Sequence, residues 1–391
     1  MATSESPLLG GNSPEASRGR LQSLSSKVSA VYWTFLLMGP SDAAYGFESY
    51  YDISYTVVSL LFLSPVCGYM LSAILNNEIH VRLGRRGIAC IHSICHLFTF
   101  GVVSLHPPYP ILVVSLAIGG IGNGLADSGW NAWIGAMGNS NELLGIMHGL
   151  YGVGAVISPL LVTLMSKSNV PWFRFYNFMT ACAAIEVVAC VIAFWDSGPD
   201  DYQTIENAEE TQTHTGGLRR VLFHKPFAGV TWTCAFYLLV YMGVEVIIGG
   251  WTVTYLMKVR DGDHFSSGRA TTGFWLGLTC GRIMLGFLTS RLGQVLAITV
   301  RLPQPLGPVS KFHLTPDPGC HEDTTARITR KFIGFASAVG GAGAAVLPFT
   351  LGATAEAKGV GILPGFIIGL SCGLFILWTC LARTLKNAEN A

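Results

Sequence analysis

Charge is what this chain has least of. Only 12% of its 391 residues are Asp, Glu, Lys or Arg, and 50% are hydrophobic. Soluble domains carry about 25% charged residues, so a soluble globular protein is excluded and lipid is the expected solvent. The net charge of +1 excludes a global field that would gather nucleic acid. There is no CxxC pair, and nine of the ten cysteines lie in apolar stretches, with Cys320 as the exception. Buried cysteines behave as small hydrophobes, so no disulfide framework is expected. A phosphate loop of the Walker type is absent, which removes the case for an ATP-driven pump. Gly369-Leu370-Ser371-Cys372-Gly373 matches a nucleophile elbow in letters only, because it lies in an apolar run with no Asp or His nearby. With no coherent catalytic set, neither an enzyme nor a cofactor is expected. The amino terminus lacks the apolar core and cleavage site of a signal peptide. Residues 1–27 read as a disordered cytoplasmic tail, in which Glu5-Ser6-Pro7-Leu8-Leu9 also resembles a vacuolar sorting signal.

What is abundant is apolar sequence in membrane-length pieces. A spanning helix needs about 20 apolar residues. Candidate spans are 28–46, 53–76, 87–105, 109–137, 142–165 and 172–195, then 226–257, 268–290, 332–354 and 361–383. The polar stretch 196–224 separates the first six from the last four and reads as a cytoplasmic linker. The expected plan is therefore an all-α polytopic membrane protein. It has a six-helix bundle over 28–195, an incomplete second bundle over 225–383 with a polar insert at 301–331, and a tail at 384–391. Arg82, Arg85, Arg86, Arg219, Arg220, Lys225, Arg291, Arg327, Arg330 and Lys331 fall on one side, with Lys167, Arg174, Lys258, Arg260, Arg269 and Lys358 on the other. Basic loops stay inside, so both termini are expected in the cytoplasm, at the plasma or vacuolar membrane.

An internal repeat supports two halves. The second span ends in Arg82-Leu83-Gly84-Arg85-Arg86, and its counterpart in the other half carries Gly281, Arg282 and Arg291 in a similar glycine-punctuated basic stretch. The first of these resembles the loop signature of the major facilitator superfamily, with Val81 where relatives place an acidic residue. Longer strings narrow the resemblance: Asp42-Ala43-Ala44-Tyr45-Gly46, Asp127-Ser128-Gly129-Trp130-Asn131-Ala132-Trp133, His148-Gly149-Leu150-Tyr151-Gly152 and Gly340-Gly341-Ala342-Gly343. Together they resemble fungal transporters of the fucose–proton symporter-like branch. That resemblance implies twelve spans, a small polar, sugar-like solute and coupling to protons. Here the ninth and tenth spans are missing, because Pro-rich, charged sequence follows Val300.

Ionisable groups inside spans cost about 2.5–3.5 kcal/mol each on insertion scales and are functional candidates by default. Asn123, Asp127 and Asn131, spaced four apart, are predicted to share one helical face lining a polar cavity, with Trp130 at its margin. Asp127 is the leading proton-coupling candidate, the alternative being a structural hydrogen bond between helices. The resemblance implies a similar role for Asp42, beside Tyr45, unless the shortened first helix leaves it at the outer interface. Glu245 and Trp251 are expected to face the cavity, although Trp251 also reads as an interfacial anchor. His148 and Tyr151 are expected to border it, and Glu186 reads as an interhelical hydrogen bond. His92 and His96 have ligand spacing, yet no third ligand is near them in sequence, so no metal is expected. The expected partners are the bilayer, a small polar solute and protons, with no obligate protein partner. A truncated, non-transporting membrane protein of the same fold is the alternative.

Overall fold

The computed structural model describes residues 14–43, 54–137, 139–199, 223, 227–292 and 322–389. Its elements are α1 (Pro14–Ala43), α2 (Tyr55–Ser104), α3 (Tyr109–Gly135), α4 (Ser140–Lys167), α5 (Phe173–Phe194), α6 (Phe227–Val259), α7 (His264–Leu292), α8 (Glu322–Lys358) and α9 (Leu363–Glu389). A short 3-10 turn, Val360–Ile362, leads into α9. No strand occurs among the described residues. Six stretches, among them Tyr109–Gly135, Phe173–Phe194 and Val360–Leu381, are long and apolar enough to cross a membrane.

The helices begin and bend for local reasons. The Ser54 hydroxyl accepts from the Val57 N–H and caps α2. Asp263 caps α7 by accepting from the Phe265 and Ser266 N–H groups at 2.9 and 3.0 Å. The Ser266 hydroxyl and these N–H groups hold the Asp263 carboxyl below its ordinary range. Gly84 divides α2 into the second and third spans. Its φ of 65° and ψ of −162° lie in a region open essentially to glycine alone. A Cβ there would strike the Gly198 backbone carbonyl.

Several expected boundaries move. Helix α1 starts at Pro14 rather than near residue 28, so residues 14–27 are helical rather than disordered. Helix α8 starts at Glu322, taking in the end of the expected insert, and α9 continues to Glu389 through most of the expected carboxyl tail. In each case amphipathic or polar turns extend a span beyond its apolar core, which hydropathy does not register. Residues 1–13, most of the linker (200–222) and 293–321 lie outside the described residues.

Large side chains point outwards. Ile74, Ile192, Leu105 and Met284 are 75%, 74%, 73% and 68% exposed, as expected where lipid replaces water. The interior of the amino-terminal half holds Phe35, Trp130, Met147 and Phe194 in one cluster and Phe100, Leu112, Phe175 and Met179 in another. The halves meet along two seams, α4 against α7 and α2 against α8. In the first seam, Gly149 and Gly152 of α4 bring Ile283 and Thr279 of α7 against the α4 backbone.

The carboxyl-terminal half leaves two faces bare. Among the described residues, nothing lies within 4 Å of where a Cβ would stand at Gly273, Gly277 and Gly281 of α7. The same holds at Gly361 in the 3-10 turn and at Gly365, Gly369 and Gly373 of α9. A spacing of four keeps each set on one face. In the amino-terminal half the corresponding faces are covered, because α2 packs on both α3 and α5. The interval 293–321 is too short for two spans of about 20 residues each.

Candidate functional site

The seam between α4 and α7 carries a concentration of polar groups, assembled from both halves. On the amino-terminal side, Tyr69 of α2 donates to Asp127 Oδ2. Asn131 Nδ2 donates to Asp127 Oδ1 at 2.7 Å and to the Asp127 carbonyl at 2.8 Å. His148 of α4 then donates from Nε2 to Asn131 Oδ1 at 3.0 Å, since an amide oxygen only accepts. Phe35 stands edge-on to the imidazole. The result is one continuous chain of bonds from α2 through α3 to α4.

On the carboxyl-terminal side, Arg282 of α7 donates to both carboxylate oxygens of Glu245 on α6, each at 2.8 Å. The pair is mostly shielded, with 14% and 11% side-chain exposure. The Tyr241 hydroxyl lies close enough to interact with both members. The guanidinium lies 5.6 Å from the ring centroid of Tyr151, which comes from the opposite half, within cation–π range. Its charge also reaches Asp127 and His148. Arg282 lies ten residues before the end of α7 at Leu292, about 15 Å at 1.5 Å per residue.

Asp127, Asn131, His148, Tyr151 and Glu245 are thus brought together, and Arg282 joins them. Gly281 and Arg282, expected in the basic stretch that repeats the Arg82–Arg86 turn, lie inside α7, as expected for Arg282 within a span, and the Arg282 charge is spent on Glu245. Three expectations are corrected. Asn123 does not share the Asp127 face, since its Oδ1 accepts from His96 Nε2 at 2.8 Å. Four residues advance about 400° round a helix, so a row of three drifts by about 80°. Trp130 is 1% exposed and packs on Phe194 and His92, away from the polar seam. Trp251 is 2% exposed and sits among Phe62, Leu351 and Val360, neither lining the seam nor anchoring at an interface. Asp42 is in α1 and Arg291 in α7, but their side chains, like all of Tyr45, lie outside the described residues.

The basic turn is a docking point. Arg82 pairs with Glu78 one turn back. Arg86 donates its backbone N–H to the Ser197 carbonyl at 2.9 Å and reaches the Trp195 carbonyl with its guanidinium. The turn, centred on Gly84 with Arg85 beside it, is thereby tied to the end of α5 by backbone acceptors, without the acidic residue that Val81 replaces. Nearby, the Lys27 ammonium donates to Asp196 at 2.9 Å and holds that carboxyl below its ordinary range.

Two halves of membrane-length helices, a glycine-broken basic turn after the second span and a charged seam between the halves are the parts of one known architecture. The Major Facilitator Superfamily profile matches residues 28–306. The chain belongs to the major facilitator superfamily. Within it, the chain is 24% identical over 421 aligned positions to Bypass of stop codon protein 6 of Saccharomyces cerevisiae (strain ATCC 204508 / S288c), covering 93% of this chain and 84% of that protein. The alignment is longer than this whole chain of 391 residues, so the yeast protein carries residues with no counterpart here. The fold matches the crystal structure of a D-xylose-proton symporter at TM-score 0.54 and 13% identity, over 92% of this chain and 90% of that one. It matches the human organic anion transporter MFSD10 (TETRAN) at TM-score 0.58 and 13% identity, over 91% and 99%. This is an integral, multi-pass major facilitator transporter fold with a fungal relative.

Sequence reading missed Tyr69 as the partner of Asp127, and Tyr241 beside the Glu245–Arg282 pair. Their signal was available, as hydroxyls within apolar spans. It also missed that Glu186 joins His92 and His96, as described below.

Proposed function

We propose that the chain is built as a secondary transporter of a small polar, sugar-like solute, with transport coupled to protons at Asp127. One observation carries the reading. At the inter-bundle seam, the Asp127 carboxylate is held by Tyr69 and Asn131 within reach of the Arg282 charge, and Arg282 is otherwise committed to Glu245. Arg282 neutralises one carboxylate at a time in full. When Asp127 is ionised it competes with Glu245 for the guanidinium and draws α7 towards α3. When Asp127 takes up a proton the competition ends and Arg282 returns wholly to Glu245. A proton thereby biases the relative position of the two halves, which is what coupled alternating access requires. The hydroxyls and amides of Tyr69, Asn131 and Tyr241 are suited to a solute rich in hydroxyl groups.

Asp127→Asn keeps size and polarity but removes the titratable proton. In proteoliposomes of the parent and this variant, the expected result is loss of pH-gradient-driven accumulation with solute exchange retained. Equal proton-driven uptake by the two would end this assignment. Both termini and the 196–224 linker are placed in the cytoplasm, at the plasma or vacuolar membrane, on the distribution of basic loops. A Glu210→Cys variant labelled from outside in sealed cells would overturn that orientation. A second reading, a non-transporting protein of the same fold, is favoured by the bare glycine faces of α7 and α9.

A further inference from the structure

The amino-terminal bundle contains a second polar centre, remote from the seam in chemistry and in exposure. His92 and His96 on the third-span arm of α2 and Glu186 on α5 are 0%, 1% and 0% exposed. Glu186 Oε2 lies 3.0 Å from His96 Nδ1, and Glu186 Oε1 lies 3.5 Å from His92 Nδ1. One ligand atom from each of the three residues can be chosen so that all lie within 4.8 Å of one another.

The hydrogen bonds around this centre fix where its protons are. His96 Nε2 faces Asn123 Oδ1 at 2.8 Å. An amide oxygen only accepts, so Nε2 carries the hydrogen. The Nδ1 lone pair of a neutral His96 then faces a carboxylate, and a positive species must stand between two acceptors. One proton satisfies His96 and Glu186 but leaves the third group out, because His92 Nδ1 is buried and makes no hydrogen bond. A divalent ion satisfies all three together. Two ligand atoms on a tetrahedral zinc, with bonds of about 2.0–2.1 Å, stand about 3.3 Å apart; the two histidine–carboxylate separations of 3.0 and 3.5 Å bracket that edge, and the full set lies within 4.8 Å. The Asn123 contact is also what a ligating histidine needs behind it, an acceptor that fixes tautomer and ring orientation.

We infer that His92, His96 and Glu186 form a resident binding site for a zinc-type divalent ion that fastens α2 to α5. Two neutral imidazoles and one carboxylate are a donor set that zinc takes. The full burial of all three makes the ion a structural staple rather than cargo.

The test is elemental analysis of the full-length chain, purified without chelator and with any affinity tag removed, beside a His92→Gln variant. His92 makes no hydrogen bond at Nδ1, so its replacement leaves the His96–Glu186 pair in place. The expected result is about one zinc per parent chain, a value near background in the variant, and a parent melting temperature that falls with a strong chelator and returns with added zinc. Metal content in the parent no higher than in His92→Gln, or a parent melting temperature indifferent to chelator and zinc, would overturn the site and leave a proton-bridged pair. Should His92→Gln fail to fold, the parent's metal content and chelator response decide alone.

Discussion

Glu245→Gln is the most informative single change at the seam. It leaves shape and hydrogen-bonding capacity almost intact but strands the Arg282 charge, mostly shielded between the helices. Removing one member of a buried ion pair costs about 3–5 kcal/mol, because the remaining charge has lost its compensation. The pair here keeps 14% and 11% of its side-chain surface, so the lower end, about 3 kcal/mol, is expected. At about 2–4 °C per kcal/mol for large domains, the midpoint should fall by roughly 6–12 °C. The double variant Glu245→Gln/Arg282→Gln removes both charges and should recover most of that loss, since replacing a whole buried pair is often close to neutral. The assay is thermal unfolding of the detergent-solubilised chain, read as the surviving monodisperse fraction. A Glu245→Gln midpoint within about 2 °C of the parent, less than 1 kcal/mol on the same scale, would refute the claim that this pair holds α6 to α7. So would a double variant no better than the single.

Gly84→Ala should cost about 1–3 kcal/mol from backbone strain alone, and more from collision with Gly198; a variant that melts with the parent would show that the turn is not held as described. The chain as it stands should transport poorly, because glycine faces built for close helix contact meet lipid instead. Inserting two hydrophobic spans into 293–321 should raise solute uptake in proteoliposomes, and robust, saturable uptake by the unaltered 391-residue chain would contradict this.

How far the sequence could be read follows from which constraints are local. The spans were legible because the bilayer demands about 20 apolar residues wherever a helix crosses. The Gly84 turn was legible because a positive φ selects glycine at one position. The polar groups were harder. A Glu in an apolar span announces that it needs a partner but not which one, so Glu245 was singled out while its tie to Arg282 was not. Glu186 and the two histidines are 90 and 94 residues apart, and no spacing rule links ligands from helices that meet only after folding. Trp130 and Trp251 were misjudged because an indole in a span serves packing, cavity or interface equally well, and only the rotation of its helix decides.

The α4–α7 seam has a mechanical consequence. Gly149 and Gly152 let Ile283 and Thr279 ride directly on the α4 backbone, so the surface across which the two halves must shear has almost no relief on one side. It is a bearing, and a bearing can be wedged. A leucine at Gly152 would have to displace Thr279, which also lies one turn before Ile283 on the helix that carries Arg282. The halves would then rest in whichever tilt opens that crossing and would be barred from the tilt that closes it. The chain would remain folded and sealed while losing its reciprocating motion, a trapped conformer obtained without touching a single charged group.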